Sequence, residues 1–464
     1  MNSPLKKHWK VENIGIDLVP KVESTGKATD LFWIWSAANI GILGIVYGAI
    51  VVDFRLSFFQ SILAVILGVT SFVLVAFTSF AGKLGRTSTL TLSRVIFGVK
   101  GNIAPTIFSW INLIGWDIIN VVTGTLTLAA LLQTLGMSDS LNTTALSLLC
   151  FSILTVSISM LGKTTLVLMQ SSFSLIFGTM TLVIVVYIFL NADWYALMDL
   201  PNGSWLKGFL PAVSIIAAGT GISWAIAGAD YSRYQSDNVS CGRIFAAVVG
   251  GAFLPLFLLI FTGILLSVQL PNLASSDNPI ALIGSILPRW MAIPYLMTAT
   301  AGISTIATLS MYSASLNLLT IGIKVKQVFA VSIDTIIVLV IAVYILFISQ
   351  NFMGSFIAFL ISCGVFLAAW EAIFILDYLI LRRKYGYAPD ELFGLNNKNC
   401  GVNTVPLLCW FTGATGGLLV TKTDFINGPL ALGIFADSSL GLLMAFTISL
   451  ITYGAYLLLQ NRTA

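Results

Sequence analysis

One apolar stretch of the sequence carries side chains whose types and spacing suit the binding of a flat ring. Trp116 and Asn120 are four residues apart and would share one face of a helix, whereas Asp117 would point about 100° away from Trp116. A tryptophan face stacks on a planar heterocycle, and a nearby amide donates and accepts hydrogen bonds at the ring edge. The stretch therefore predicts a site for a flat polar heterocycle, with a carboxyl group beside it.

Asp117 is the most expensive residue of this stretch to bury. An acidic side chain inside a bilayer is a functional hypothesis by default, and burial favours its neutral form, which suits a proton carrier. The alternative is a structural hydrogen bond to a neighbouring helix, and the spacing leaves both interpretations open. Glu371, which follows Trp370 in a later apolar stretch, is a weaker candidate for coupling.

The composition indicates a membrane protein. Of the 464 residues, 57% are hydrophobic and 9% are charged, whereas soluble domains carry about 25% charged residues. This balance excludes a soluble enzyme, a secreted disulfide scaffold and a disordered chain. The lone histidine, His8, stands in a polar stretch, so we expect no histidine-based catalysis, no metal site and no cofactor. A net charge of +4 gives no indication of nucleic-acid binding.

Twelve apolar stretches are long enough to cross a bilayer, and their continuity favours helices over a barrel. If the N-terminus is cytoplasmic, 19 of the 23 lysines and arginines fall on the cytoplasmic side. We therefore predict an all-α, multi-pass protein of the cytoplasmic membrane with both termini inside. Numbered from 1 to 12, the predicted spans cover residues 31–52, 58–80, 104–133, 144–162, 165–190, 209–229, 244–269, 291–319, 328–348, 352–379, 402–420 and 440–459.

Glycine interrupts two of these spans. Asn39 and Gly41 lie near the middle of span 1, and Gly219-Thr220-Gly221 lies in span 6. Glycine lowers the cost of leaving helical geometry, which would expose main-chain groups to a ligand, although close helix packing also explains the glycines of span 1. Two interrupted spans five apart predict inverted five-span repeats with a midplane site. The predicted segments are a cytoplasmic N-terminal segment 1–30, repeats at 31–190 and 209–379, and two further spans with a short C-terminus at 402–464.

At these residues the chain resembles the nucleobase:cation symporter-1 family, and within it the purine–cytosine permease branch. The resemblance covers about residues 30–460. Each motif alone is weak evidence for the family, and their order along the chain is stronger evidence. It implies a leucine-transporter-like fold of ten core helices plus two, and cation-coupled uptake by alternating access. The matching motifs are Arg94-Val-Ile-Phe-Gly98-Val-Lys-Gly101, Gly115-Trp116 with Asn120, Ala229-Asp230-Tyr-Ser-Arg-Tyr234, and Met311-Tyr312-Ser313.

The resemblance also implies roles for individual residues. Trp116 matches the stacking tryptophan of the family, and Asn120 matches its amide ligand. An unwound part of span 6 is expected to face the substrate, and a break in span 1 is expected opposite it. The residues at these two places are Thr220, Gly221, Ser223 and Trp224 in span 6, and Asn39, Ile40 and Gly41 in span 1.

The expected cation site departs from the family pattern. Sodium-coupled relatives present oxygen ligands at positions i, i+3 and i+4 of span 8, where this chain has Gly302, Thr305 and Ile306. Only Thr305 has a side-chain oxygen, although Ser36 and Asn39 of span 1 could add others. The incomplete set favours coupling to H⁺ through Asp117, while Na⁺ bound by main-chain carbonyls stays an alternative.

The expected function is secondary active import of a nucleobase-like heterocycle, with cytosine or a purine first, by proton symport. The alternatives are Na⁺-coupled symport of a related ring (allantoin, hydantoin, uracil or the thiamin-precursor pyrimidine) and a sensor or channel without transport. A channel would need rings of repeated ligands, and a membrane enzyme would need paired carboxylates or a metal motif. The sequence does not indicate an oligomeric state.

Overall fold

A computed structural model describes residues 14–159, 163–276, 278–349, 352–436 and 439–463. Within these ranges the regular secondary structure is helical, with no β-strand and two isolated bridges, Gly26–Gln235 and Lys422–Asn427. The predicted all-α class is therefore confirmed. His8 lies outside the described residues, and the predicted segment 1–30 is described from Ile14 onwards.

Ten helices of the described chain are long and apolar enough to cross a bilayer, and a bent pair makes an eleventh. The helix at the predicted span 11 has 16 residues, fewer than the roughly 20 that a crossing needs, so the count of twelve stays a prediction. In order, the helices at the twelve predicted spans are Ala28–Asn39 with Leu43–Asp53, Phe58–Gly85, Ile103–Thr134, Leu141–Ser159, Lys163–Leu190, Trp205–Ala225, Cys241–Leu266, Arg289–Ile321, Gln327–Phe347, Phe352–Asp377, Thr404–Leu419 and Gly441–Thr463.

Span 1 is broken where the sequence predicts it. Its first helix ends at Asn39, the second begins at Leu43, and the two axes differ by 61°. Ile40 has left helical geometry, with φ −87° and ψ 45°. The Asn39 side chain donates a hydrogen bond to the main-chain oxygen of Trp35 at 2.7 Å, which closes the last turn before the break.

Span 6 is irregular, but it is not unwound. Residues Ala218–Ile222 form a π-helical turn, an α-helical turn follows at Ser223–Ala225, and a short helix resumes at Gly228–Ser232. The expectation of an unwound segment is therefore wrong, because the glycines widen the helix instead of ending it. π-Turns inside α-helices occur frequently at functional sites, since they shift the helix face and free a main-chain group.

Close helix crossings hold the two interrupted spans in place. Span 1 packs along span 7 so tightly that a Cβ atom on Gly263 would lie 1.8 Å from the main-chain oxygen of Ile45. Spans 3 and 8 share the most extensive helix contact of the described chain. Residues of spans 1, 3, 6 and 8 together line one cavity, which is the candidate site. The repeat limits at 190, 209, 379 and 402 stay predictions.

Candidate substrate site

A small cavity lies where the break of span 1 and the π-turn of span 6 meet spans 3 and 8. Seven of the eight predicted substrate residues line it: Asn39, Gly41, Trp116, Asn120, Thr220, Ser223 and Trp224. The cavity measures about 50 Å³, less than the roughly 150 Å³ of a cavity that holds benzene. A heterocycle can therefore enter only if the walls of this conformation move apart.

Gly221, the eighth predicted residue, does not line the cavity. Its main-chain N–H donates to the Ser71 hydroxyl at 3.2 Å, at the point where span 2 passes from the helix Phe58–Thr70 to the helix Phe72–Gly85. A Cβ atom at this position would lie 2.3 Å from the carbonyl carbon of Ser71. In this conformation the residue brings spans 2 and 6 into contact.

Aromatic side chains form two sides of the cavity. Trp224 is held by Trp35, with ring centroids 5.6 Å apart and planes at 79°. Trp116 meets Phe356 of span 10 in the same perpendicular manner, at 5.8 Å and 80°. Phe356 also contacts Tyr47, with centroids 6.1 Å apart. Span 10 thus contacts two residues that line the cavity, Trp116 and Tyr47.

Three donors at the cavity wall lack a hydrogen-bond partner anywhere in the described ranges. They are the indole nitrogen of Trp116, the side-chain amide nitrogen of Asn120 and the hydroxyl group of Tyr47. Asn120 is 1% exposed and Tyr47 is 3% exposed, so water does not satisfy them from the bulk. A buried unpaired donor costs about 1–3 kcal/mol, which a ligand with acceptor atoms would recover.

The hydroxyl groups of span 6 are, in contrast, already engaged. Thr220 donates to the main-chain oxygen of Ile216 at 2.7 Å, and Ser223 donates to that of Ala218 at 2.6 Å. Such bonds to the preceding turn are ordinary for hydroxyl side chains in helices. The family resemblance implies that Thr220 and Ser223 bind the substrate. Among the described residues of the cavity wall, however, the unpaired donors lie on spans 1 and 3.

Asp117 lies behind the cavity wall. Its side chain is fully buried, and neither carboxylate oxygen has a hydrogen-bond partner among the residues described. Ser310, which lines the cavity, is close enough to act on this carboxyl group, although its own hydroxyl donates to the main-chain oxygen of Leu113 at 3.3 Å. Ser310 thus links the cavity to the predicted coupling residue.

The predicted cation positions lie at a close contact between spans 1 and 8. The Thr305 hydroxyl donates to the main-chain oxygen of Gly302 at 2.6 Å. A Cβ atom on Gly302 would lie 2.8 Å from the main-chain oxygen of Ile40. Gln170 of span 5 donates its amide to the main-chain oxygen of Thr305 at 3.3 Å. Ser36 is buried in the turn before the break. Helix packing thus leaves little space at this contact, and the Gln170 amide occupies one of its main-chain oxygens.

Three residues at or beside the cavity are not among those predicted from the sequence. Tyr47 had a usable signal, because a tyrosine deep in an apolar span needs a partner for its hydroxyl group. Ser310 was one of many hydroxyl residues in span 8, so its position on the cavity had no separate signal. Phe356 is one of 30 phenylalanines, and only the packing of span 10 distinguishes it.

A broken span and a span with a π-turn around one small cavity, with a buried acid behind its wall, are typical of a secondary transporter. The sequence comparisons give the family. The chain belongs to the permeases for cytosine/purines, uracil, thiamine and allantoin, because the model of that family matches residues 18–449. This match confirms the predicted family. It also confirms the prediction that the protein is a transporter and not an enzyme.

Individual relatives agree with this assignment. A Bacillus subtilis protein, YxlA, provisionally named a purine-cytosine permease, is 26% identical over 470 residues, which cover 98% of this chain and 97% of that protein. Mhp1, a nucleobase-cation-symport-1 family transporter solved in a closed conformation with bromovinylhydantoin bound, gives a TM-score of 0.76 at 19% identity, covering 96% and 94% of the two chains. A Na⁺-coupled sialic acid symporter gives 0.53 at 12% identity, covering 93% and 98%. Both solved structures share the fold of this chain.

Proposed function

We propose that this permease imports a nucleobase-like heterocycle, with cytosine or a purine as the first choice, by proton-coupled symport. The observation that carries the proposal is the set of unpaired donors on Trp116, Asn120 and Tyr47 around one small cavity, between the break of span 1 and the π-turn of span 6. Trp116 would stack on the ring, and the three donors would hydrogen bond to acceptors at its edge.

The donors favour a ring with acceptor atoms in its plane. Cytosine and the purines carry unprotonated ring nitrogens, and cytosine also carries a carbonyl oxygen, so these rings match an amide, an indole and a hydroxyl donor. Asp117 does not line the cavity, so a direct bond between its carboxylate and a ring amine has no support in this conformation. The choice of substrate therefore depends on acceptors of the ring more than on its amines.

Coupling to a proton has two supports. Asp117 is fully buried and unpaired within the described chain, a setting in which a charged carboxylate is strongly disfavoured and the group would be protonated. At the alternative cation positions, the Thr305 hydroxyl is already bonded within its own helix and Ile306 has no oxygen in its side chain. Na⁺ would need several oxygens there to replace its hydration shell.

Uptake into proteoliposomes tests the proposal directly. Radiolabelled cytosine, adenine, hypoxanthine, uracil and allantoin are each supplied with a proton gradient alone and with a sodium gradient alone. Accumulation of cytosine or a purine under the proton gradient supports the proposal. Accumulation only with the sodium gradient would support a transporter that is coupled to Na⁺ and contradict coupling to H⁺. Binding without uptake or counterflow would indicate a sensor.

A further inference from the structure

A second pocket, remote from the substrate cavity, lies at the end of the protein that the charge pattern places in the cytoplasm. It opens between residues 14–17, the short helix that precedes span 3, and the loop that joins spans 8 and 9. Its volume is about 520 Å³, ten times that of the substrate cavity. The proposed transport cycle does not use this pocket.

The charged residues of this pocket are mainly basic. Arg94, Lys324 and Lys326 line it, and among the described residues of its lining Asp17 is the one acid. Both lysines are exposed, and none of the ion pairs found within the described chain includes either of them. The lining therefore presents three cations against one anion.

Arg94 differs from the two lysines because its charged side chain is buried. Its side chain is 6% exposed, and its guanidinium group forms no ion pair with an acid of the described ranges. Burial lowers the pKa of Arg94 to about 10, so the group still carries its charge at neutral pH. A buried charge without a counter-ion is strongly unfavourable, because it loses hydration without gaining an opposite charge.

A structural role explains only part of this arrangement. The Nη2 atom of Arg94 donates to the main-chain oxygen of Thr320 at 2.7 Å, in the last turn of span 8, where a cation interacts favourably with the helix dipole. Nη1 reaches the main-chain oxygen of Leu392 at 3.4 Å. The Nε atom has no partner in the part of the chain that the structure describes, and neutral carbonyl groups do not balance a full charge.

We propose that this pocket binds a phosphate group, held by Arg94 with Lys324 and Lys326. A phosphate oxyanion offers acceptors to the planar guanidinium and a counter-charge to the two ammonium groups, and this combination is common at phosphate sites. The group is either a free phosphate-bearing ligand or the headgroup of an anionic phospholipid at the membrane surface. Both sources present the same chemistry to the three cations.

The experiment measures ligand-dependent thermal stability, because a ligand that binds the folded state raises the unfolding midpoint. The full chain in neutral detergent is titrated with inorganic phosphate, against sodium chloride at matched ionic strength. In parallel, nanodiscs of phosphatidylcholine are compared with nanodiscs that also contain phosphatidylglycerol. The test variant is Lys324→Gln with Lys326→Gln, which leaves Arg94 and its helix contacts intact. The control is Lys100→Gln with Lys384→Gln, two exposed lysines of the same side that do not line the pocket.

We expect a saturable rise of the midpoint in the unaltered protein and in the control, and no rise in the test variant. A rise with inorganic phosphate identifies a soluble phosphate ligand, whereas a rise only with phosphatidylglycerol identifies the lipid headgroup. Equal rises in all three proteins would show general charge screening and overturn the site. No rise with either probe would overturn it too. The readout does not depend on transport, so it stands apart from the proposed import of a nucleobase.

Discussion

Trp116 of span 3 stands perpendicular to Phe356 of span 10, with ring centroids 5.8 Å apart. A perpendicular contact fixes the indole without covering it with a parallel ring, and no other ring of the described residues stacks on Trp116. Phe356 thus holds the Trp116 indole in place and leaves its face accessible at the wall of the substrate cavity. A flat ligand can stack on the indole once the cavity widens.

Replacing Trp116 with alanine tests the stacking role. We expect Trp116→Ala to weaken binding of cytosine or adenine about 5- to 150-fold, since stacking of a base on an aromatic ring is worth roughly 1–3 kcal/mol. The dissociation constant is measured with radiolabelled ligand on the purified protein. Trp290→Ala, at an exposed tryptophan near the start of span 8, is the control and should bind normally. An unchanged constant in Trp116→Ala would remove Trp116 from the site.

Replacing Asn120 separates a ligand-binding role from a structural one. Its amide nitrogen is buried without a partner within the described residues, so Asn120→Leu should raise the unfolding midpoint of the empty protein while it abolishes substrate binding. Asn317→Leu is the matched comparison, because the Asn317 amide donates to Ser109 at 2.7 Å and its loss should lower the midpoint. If Asn120→Leu destabilised the empty protein as Asn317→Leu does, Asn120 would be a packing residue.

Asp117→Asn tests the proposed proton carrier. We expect the variant to keep exchange of labelled for unlabelled substrate across the liposome membrane and to lose accumulation driven by a proton gradient, because an amide cannot release a proton. Counterflow and gradient-driven uptake are measured on the same preparation.

Asp334→Asn provides the matched control for this experiment. Asp334 is also a buried acid, and its Oδ1 atom accepts a hydrogen bond from the Trp110 indole at 2.9 Å, a role that an asparagine oxygen can retain. The control should still accumulate substrate. Normal accumulation in Asp117→Asn, with its pH dependence intact, would instead rule out Asp117 as the carrier.

The sequence predicted those features that depend on residue type at one place in the chain. Asn39 and Gly41 predicted the break of span 1, because an amide and a glycine in an apolar helix are locally unfavourable. Long apolar runs predicted the helices, and the spacing of Trp116 and Asn120 predicted a shared face, which lies on the cavity. These inferences need no knowledge of tertiary contacts.

Other features arise only from tertiary packing. Gly221 has the residue type expected of a ligand-facing position, yet it contacts Ser71, about 150 residues earlier in the chain. The π-turn of span 6 and the amide bond from Gln170 to Thr305 likewise depend on which helices lie side by side. A single sequence without this packing predicts an irregular helix, but not its form.

The contact between spans 1 and 8 gives a prediction on stability. Gly302→Ala would place a Cβ atom 2.8 Å from the main-chain oxygen of Ile40, and such overpacking costs about 1–3 kcal/mol. The thermal midpoint should therefore fall. Gly250→Ala, in span 7, is the control: a Cβ atom there would meet nothing within 4 Å, so it should gain the roughly 0.5–1 kcal/mol by which alanine exceeds glycine in a helix. Equal midpoints for the two variants would contradict the close contact.

Asp230, beyond the end of span 6, gives a prediction on pH. Burial raises the pKa of this carboxyl group to about 6, although the main-chain N–H of Thr89 donates to it at 2.8 Å and the charge of Arg233 also favours ionisation. Between the ordinary value of 3.8 and about 6, the folded protein therefore holds a proton that the unfolded chain has released. Because the folded state binds more protons in this interval, the free energy of unfolding should fall as pH rises, by at most about 3 kcal/mol.

Asp230→Asn removes this titration and keeps an oxygen that can accept from Thr89. The difference in unfolding midpoint between the unaltered protein and the variant should therefore change between pH 4 and 6 and stay constant above about 7. Asp237→Asn, at an exposed acid of the following loop, should follow the unaltered protein at every pH. If Asp230→Asn ran parallel to the unaltered protein through this interval, Asp230 would not hold the proton. A difference of opposite sign would mean that the charge of Arg233 outweighs burial and keeps Asp230 ionised in the folded protein.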